Sequence, residues 1–206
     1  MAHPHSDSAH TDTAAIILAG GRGTRMGGAD KAQLTVGGER FIDKLLRQLP
    51  YGTPHVTVSP RRLGVPQVCE TPLYGGPAAG IARGANELAR RGVHETARFI
   101  AVFAVDAPDS PRLLPQLRTA LAADQEANVA LVESADGHLQ PLCALWRTQS
   151  LLHALPVTRP LRHASAMQVI RRAKPWAVVA GTGAEKDVDT VDDLQAFNYF
   201  TTISPR

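Results

Sequence analysis

Residues 18–31 read LAGGRGTRMGGADK and combine five glycines with three positive charges. It overlaps the end of a short apolar run over residues 13–19, which predicts a buried β-strand. Because glycine has no Cβ, the backbone N–H groups of the five glycines can approach a phosphate closely. Arg22 and Arg25 can bind an anion as bidentate forks, and Lys31 as a point charge. The stretch therefore predicts a loop that cradles a triphosphate at the end of a strand.

Two familiar glycine loops differ from this one. A P-loop requires a Gly-Lys pair, and the chain contains none. The dinucleotide-binding fingerprint starting at Gly21 and Gly23 has Met26 where it requires a third glycine. The structural alternative is a glycine-rich turn with solvated arginines, which the length of the string and its position after a strand disfavour.

Strand-like and helix-like segments alternate along the rest of the chain. Apolar runs predict strands, and apolar residues at the helical period predict helices. The predicted strands cover residues 13–19, 55–59, 66–69, 99–105, 128–133, 139–146 and 176–180, and the predicted helices cover residues 41–49, 77–91, 110–123, 148–155, 165–173 and 191–197. This order predicts an α/β fold, a single three-layer α/β/α Rossmann-like domain with a mostly parallel sheet. Ligands of such folds collect beyond the carboxyl ends of the strands.

The predicted domain covers residues 14–200. The polar tail over residues 1–13, whose histidines have no metal-ligand spacing, is predicted to be disordered, and a short tail is predicted over residues 201–206. Two helix starts have sequence signals. Ser110 is predicted to be an N-cap with Pro111 at the first helical position, and Thr190 and Asp193 have the spacing of a capping box.

The composition favours a cytoplasmic protein that binds small anions. The formal net charge is +3, yet no dense Lys/Arg block of the nucleic-acid-binding type occurs. The longest apolar stretch, residues 99–105, is far too short to span a membrane, and the N-terminal tail has no signal-peptide pattern. Cys69 and Cys143 form no Cys-x-x-Cys pair, which favours reduced thiols. We therefore expect phosphorylated small molecules as ligands, with no nucleic acid and no membrane as partner.

Carboxylates follow two of the predicted strands. Asp106 comes directly after the most apolar strand, where it can meet Mg²⁺ and bound phosphates. Helix capping is the alternative for Asp106, but Ser110 is predicted to fill that role, and Asp109 is predicted to be an ordinary turn acid. Asp187 and Asp189 lie two residues apart and share a face if the chain there is extended.

The stretch over residues 18–31 closely resembles the signature of nucleotidyltransferases with a nucleotide-diphospho-sugar-transferase-like fold. Among these it is most similar to the molybdenum cofactor guanylyltransferases. The strings GPAAGI at residues 76–81, QPLCALW at residues 140–146 and DVDTVDDL at residues 187–194 also fit that family. The resemblance runs from about residue 14 to about residue 200.

The resemblance implies Mg²⁺-dependent transfer of GMP from GTP to molybdopterin or its molybdenum form. An acceptor phosphate attacks the α-phosphorus in line and expels pyrophosphate, and because the phosphate is already ionised no strong general base is needed. The implied catalytic residues are Arg25, Lys31 and Asp106. The implied metal ligands are Asp106 and Asp189, although Asp189 could instead simply precede a capped helix. The implied nucleotide contacts are Leu18, Ala19, Gly20, Gly21, Arg22, Gly23, Lys31, Ser59, Glu70, Gly76 and Asp106.

Two of these positions depart from the guanylyltransferase pattern and leave alternatives open. Ser59 stands where that family tends to carry Asn, and Glu70 where it tends to carry Asp. Such changes in reach alter the preference between guanine and cytosine, so a cytidylyltransferase of the same pathway using CTP is the main alternative. A transferase acting on another small acceptor, such as a sugar 1-phosphate, and a non-catalytic nucleotide-binding regulator are further alternatives.

Partners beyond the nucleotide are implied less directly. The arginine-bearing segment over residues 159–172 is either the mouth of a site for the second phosphorylated substrate or a solvated helix face. Association with a molybdoenzyme or with cofactor-assembly proteins is implied by the resemblance alone.

Overall fold

A computed structural model describes residues 12–21, 30–71, 73–155, 161 and 163–203, with residues 198–203 described as backbone only. Within these residues the strands are β1 (Thr13–Leu18), β2 (Thr35–Val36), β3 (Glu39–Arg40), β4 (His55–Val58), β5 (Gln67–Val68), β6 (Phe99–Ala104), β7 (Val129–Glu133), β8 (Leu139–Arg147) and β9 (Trp176–Ala180). The α-helices are α1 (Phe41–Arg47), α2 (Pro77–Arg90), α3 (Val93–Thr96), α4 (Leu114–Ala123), α5 (Thr148–Ala154), α6 (Ala166–Ile170) and α7 (Val191–Ile203).

Seven of these strands form one sheet in the order β5-β4-β1-β6-β8-β7-β9. The pairs β1–β4, β1–β6, β4–β5 and β7–β9 are parallel, whereas β8 runs antiparallel to both β6 and β7. The predicted mostly parallel sheet is thus confirmed. The two-residue strands β2 and β3 form a separate hairpin, which together with α3 was not predicted because such short segments carry no periodic signal.

Helices cover both faces of the sheet and confirm the three-layer architecture. Alternate residues of each strand point to opposite faces, so the core divides into two clusters. Ala15 and Ile17 of β1 belong to the cluster beneath α1, α4 and α7, and Ala14 and Ile16 belong to the cluster beneath α2, α5 and α6. No helix within the described part of the chain is both long and apolar enough to cross a bilayer.

Two glycines let α2 pack directly onto β1. A Cβ at Gly84 would lie 2.5 Å from Cγ2 of Ile16, and one at Gly80 would lie 3.0 Å from Cδ2 of Leu18. Real Cβ atoms rarely come so close to a neighbour, so any larger residue at Gly84 forces the helix or the isoleucine to move. This contact fixes the start of α2 above the carboxyl edge of the sheet.

One predicted helix start is confirmed and one is wrong. Thr190 and Asp193 form reciprocal hydrogen bonds, with the N–H of Asp193 donating to Thr190 Oγ1 at 3.1 Å and the N–H of Thr190 donating to Asp193 Oδ2 at 2.8 Å. Ser110 is not an N-cap, because it is the first residue of a 3-10 turn over Ser110–Leu113 whose N-cap is Asp109. The Ser110 hydroxyl is buried with no hydrogen-bond partner among the described residues. Pro111 is the second residue of that turn, and α4 begins only after it.

Candidate active site

The ends of β1 and β6 lie side by side at the carboxyl edge of the sheet. Leu18 is in register with Ala104, and the Leu18 carbonyl accepts the N–H of Val105 at 3.0 Å. The glycine stretch and Asp106 therefore follow adjacent strands at the same edge of the sheet, and the shared edge was predicted. Leu18, Ala19, Gly20 and Gly21 are described at this edge, and around Gly21 the space where a Cβ would stand is open.

Lys31 connects the two carboxylates that were predicted as metal ligands. Its Nζ donates to Asp106 Oδ2 at 3.0 Å and also forms a short hydrogen bond with Asp189 Oδ1. The local turn holds Lys31 in place because Asp30 Oδ1 accepts the N–H of Ala32 at 3.2 Å. One ammonium thus binds two carboxylates from distant parts of the chain.

Three carboxyl groups, those of Asp106, Asp187 and Asp189, surround the single ammonium group of Lys31. Burial opposes the charge of Lys31, but the hydrogen bonds and charges of Asp189 and Asp106 outweigh burial and raise the pKa of its ammonium. Two effects raise the pKa of Asp187 to about 6: the surrounding protein desolvates its carboxyl group, and the charges of Asp106 and Asp189 repel its anion. The residue is nevertheless exposed at the surface. The site therefore carries excess negative charge, which favours the binding of a further cation.

Groups of three or more His, Cys, Asp or Glu side chains arranged to hold a metal ion do not occur among the described residues. Asp106 and Asp189 are the carboxylates that face a common cation, and that cation is the Lys31 ammonium. Carboxylate oxygens are the ligands that Mg²⁺ prefers, and Mg²⁺ in nucleotide enzymes needs only one or two of them beside the substrate phosphates.

A second buried ion pair supports the loop after Asp106. Lys44 Nζ donates to Asp109 Oδ1 at 2.7 Å, with side-chain exposures of 9% and 13%. Gln48 Nε2 donates to the carbonyl of Pro108 at 2.6 Å. Asp109 was predicted as an ordinary turn acid, and this supporting pair was missed. Lys44 lies three residues after Phe41, on the apolar face of α1. This position of a lysine among apolar residues is the sequence signal that could have indicated a buried lysine.

Glu70 and Ser59 lie at the ends of the neighbouring strands β5 and β4. Glu70 is 7% exposed, and its Oε2 has no hydrogen-bond partner among the described residues. A Cβ built at Gly20 would lie 3.8 Å from Glu70 Oε1, so this carboxylate is next to the glycine stretch. The Ser59 hydroxyl instead donates to the carbonyl of Arg61 at 2.9 Å and accepts its N–H at 3.1 Å.

Gly76 is the N-cap of α2, where that helix meets the turn before α6. Its φ of +94° suits glycine, and a Cβ there would lie 3.4 Å from the carbonyl oxygen of Ala164. The N–H of His163 donates to the Gly75 carbonyl at 2.7 Å, and the N–H of Ala78 donates to the Ala164 carbonyl at 3.2 Å. Backbone hydrogen bonds of its neighbours thus hold Gly76, a predicted nucleotide contact, against the segment that was predicted to line the acceptor site.

The structure brings most predicted site residues to one edge, but not all of them are described. Arg22, Gly23 and Arg25 lie outside the described residues, so their roles stay predictions. The arginine-bearing segment is described only in part, and its Arg171 and Arg172 are exposed. Glu185, which shapes the loop before Asp189, was missed because its sequence neighbours follow no known motif.

Solved structures of other proteins share the arrangement of this sheet. The fold is similar to that of molybdopterin-guanine dinucleotide biosynthesis protein A from Archaeoglobus fulgidus, with a TM-score of 0.62 at 17% identity over 92% of this chain and 99% of that one. It is also similar to 2-C-methyl-D-erythritol 4-phosphate cytidylyltransferase from Thermus thermophilus, with a TM-score of 0.59 at 19% identity over 92% and 98% of the two chains. At these identities the likeness shows the shared fold.

The sequence comparisons identify the family of the chain. The family model "MobA-like NTP transferase domain" matches residues 15–180. The molybdenum cofactor guanylyltransferase of Mesorhizobium japonicum is 33% identical over 146 residues, which cover 67% of this chain and 68% of that protein. The chain belongs to the MobA-like NTP transferase family. It is a nucleotidyltransferase, as the resemblance of its glycine stretch implied.

Proposed function

We propose that this enzyme transfers GMP from GTP to the phosphate of a molybdopterin-type acceptor and releases pyrophosphate. The observation that carries the proposal is the Lys31–Asp106–Asp189 cluster beside the glycine stretch, where a cationic group and two carboxylates meet at the carboxyl edge. The name of the Mesorhizobium japonicum relative supports GTP as the nucleotide and the molybdenum cofactor as the acceptor.

The residues at this edge neutralise the charge of the phosphates and hold them in position. The acceptor phosphate is already largely ionised at neutral pH, so the protein must hold anions together rather than remove a proton. Lys31 is protonated and can move from its carboxylates to the triphosphate, where it offsets the charge that develops on the leaving pyrophosphate. The backbone N–H groups after β1 hold the phosphates in line with the acceptor.

Mg²⁺ is the cation that we propose for Asp106 and Asp189. The donor set fits this ion, because both carboxylates already converge on one positive charge and Mg²⁺ takes oxygen ligands. When bound, Mg²⁺ supplies Lewis-acid neutralisation of the phosphate oxygens.

Glu70 supports GTP over CTP. Guanine presents N1–H and N2–H donors next to each other, and these can pair with the two oxygens of a carboxylate. Cytosine places its N4–H₂ donor beside the N3 acceptor, which repels a second carboxylate oxygen. Because Glu70 is buried with one oxygen unpartnered among the described residues, a donor from the base would compensate its desolvation.

The test is pyrophosphate release from GTP, CTP, ATP and UTP, each with molybdopterin as acceptor and Mg²⁺ present. We expect release with GTP, and a loss of several orders of magnitude in Asp106→Asn. Release with CTP in place of GTP would assign the cytidylyl reaction. If no nucleotide gives release while calorimetry still detects nucleotide binding, the proposal is wrong and the acceptor is a molecule other than molybdopterin.

A further inference from the structure

Glu185 is a buried carboxylate in the loop between β9 and α7, and the proposed reaction gives it no role. It is 3% exposed. Its Oε2 accepts two backbone N–H groups, from Thr182 at 3.0 Å and from Gly183 at 2.9 Å. Burying a carboxylate is costly unless its charge is hydrogen-bonded. These two bonds offset that cost and close the loop into a compact turn.

The carboxylate of Glu185 occupies the space that a side chain at Gly181 would need. A Cβ at Gly181 would lie 2.6 Å from Cδ of Glu185, closer than real Cβ atoms approach any neighbour. The N–H of Gly181 donates to the Glu133 carbonyl at 2.7 Å, at the end of β7. The start of the loop is therefore fixed to the sheet and packed against the Glu185 side chain.

The same loop delivers Asp189 to the active site. Val188 is 3% exposed, and its N–H donates to the backbone carbonyl of Asp106 at 2.9 Å. The next residue, Asp189, pairs with Lys31 and donates its own N–H to Asp193 Oδ2 at 3.1 Å. The path from Glu185 to Asp189 is thus anchored at both ends, and one anchor is the backbone of Asp106.

We propose that Glu185 is a positioning residue that holds the loop so that Asp189 stands beside Lys31 and Asp106. It does not touch the substrate. It acts through the backbone of residues 182–188, which sets where the Asp189 carboxylate lies. This inference rests on the proposed role of Asp189, whereas the loop geometry itself does not depend on which nucleotide or acceptor is used.

The experiment compares four variants of the full chain. Glu185→Ala removes the acceptor, Glu185→Gln keeps an oxygen in its place, and Gly181→Ala displaces the carboxylate without altering it. Lys186→Ala, at an exposed neighbour, is the matched control. We expect Glu185→Ala and Gly181→Ala to lower kcat/KM by about ten- to a hundredfold, because small misplacements of a site cost this much. Glu185→Gln and Lys186→Ala should stay close to wild type.

Two further readouts separate positioning from a general loss of stability. In an Asp189→Asn background, Glu185→Ala should cause no additional loss of kcat/KM, because both changes remove the same carboxylate function. Hydrogen exchange of the Val188 amide should accelerate in Glu185→Ala and Gly181→Ala but not in Glu185→Gln.

These measurements test the positioning role of Glu185 whichever nucleotide the enzyme uses. Losses that multiply in the Asp189→Asn background, or an unchanged Val188 amide in Glu185→Ala, would overturn it. If the wild-type enzyme uses neither GTP nor CTP, the proposed function fails. The exchange data alone then decide whether Glu185 holds the loop.

Discussion

Glu70 is the residue that we propose to contact the base. On that proposal, replacing it with Gln would put an amide N–H₂ where a carboxylate oxygen accepts, so one guanine donor would lose its partner. We expect Glu70→Gln to reduce the preference for GTP over CTP by about tenfold or more, the worth of one charge-assisted hydrogen bond. Calorimetry with both nucleotides measures the ratio, and the exposed Glu126→Gln is the control. An unchanged ratio would show that another group reads the base.

We expect Lys31 to affect a different property, the affinity of the nucleotide-free protein for divalent cations. Its ammonium lies between Asp106 and Asp189, and Asp187 adds further negative charge. Lys31→Met leaves these acids without their counter-charge. We expect the variant to bind Mn²⁺ about tenfold more tightly than wild type in the absence of nucleotide. Isothermal calorimetry measures this change.

The double variant Lys31→Met/Asp106→Asn is the control for this cation site. It should lose the gained affinity, because one of the two carboxylates is then neutral. Equal Mn²⁺ affinities of wild type and Lys31→Met would contradict the expectation, and would mean that Lys31 does not compete with the cation.

Residues whose partners leave no signal in the sequence were the hardest to predict. Lys31 and Asp106 were expected at one edge because each follows or ends a motif at a strand end. Lys44 and Glu185 were not, since their partners are a loop carboxylate and two backbone amides that no sequence spacing reveals. The Ser110 cap was wrong because a Ser-Pro pair also suits the first turn of a 3-10 segment.

At the scale of elements, the contact between α2 and β1 depends on Gly84. We expect Gly84→Ala to lower the free energy of unfolding by about 1–3 kcal/mol, because its Cβ would overlap Ile16. Urea denaturation measures the change.

The overlap can be isolated with a double-mutant cycle. Ile16→Ala removes the atoms that the new Cβ would meet, so the double variant should lose less stability than the sum of the two single changes. Strict additivity would show that the helix tolerates Ala at Gly84 without contacting Ile16.

Helix α2 also contains an acid whose ionisation links stability to pH. Hydrogen bonds from Arg90 and Arg91 lower the pKa of Glu87 from 4.5 to about 2. A lowered pKa stabilises the folded state above the unfolded value, and this contribution is lost as pH falls from 4.5 towards 2. We expect Glu87→Gln to flatten the fall of the urea midpoint across that window. An identical slope in wild type and variant would contradict this account.

Element order was the most predictable feature of the fold. The seven predicted strands and six predicted helices recur with shifts of a few residues at their ends, because apolar periodicity reports burial directly. The antiparallel direction of β8 was not predicted, since strand direction depends on connections rather than on the composition of the strand.

At the scale of the whole molecule, the reactivities of the two thiols distinguish the native protein from the unfolded one. Burial, and the charges of Glu185 and Asp187, raise the pKa of Cys143, which lies within the sheet, and burial also raises the pKa of the partly exposed Cys69. We expect Ellman's reagent to modify Cys69 slowly in the native protein and Cys143 only on unfolding. In Cys69→Ser no native reaction should occur. Native modification of both thiols at equal rates would contradict the packing of β8.

The bond between Lys31 and Asp189 spans 158 positions, nearly the full length of the folded domain. Asp189 also lies beyond the residues that the family model matches, so the most similar part of the sequence does not contain the whole site. During synthesis, the nucleotide loop and the central strands leave the ribosome long before this carboxylate does. On the role proposed for Asp189, the active site is complete only late in synthesis, after translation has passed this residue.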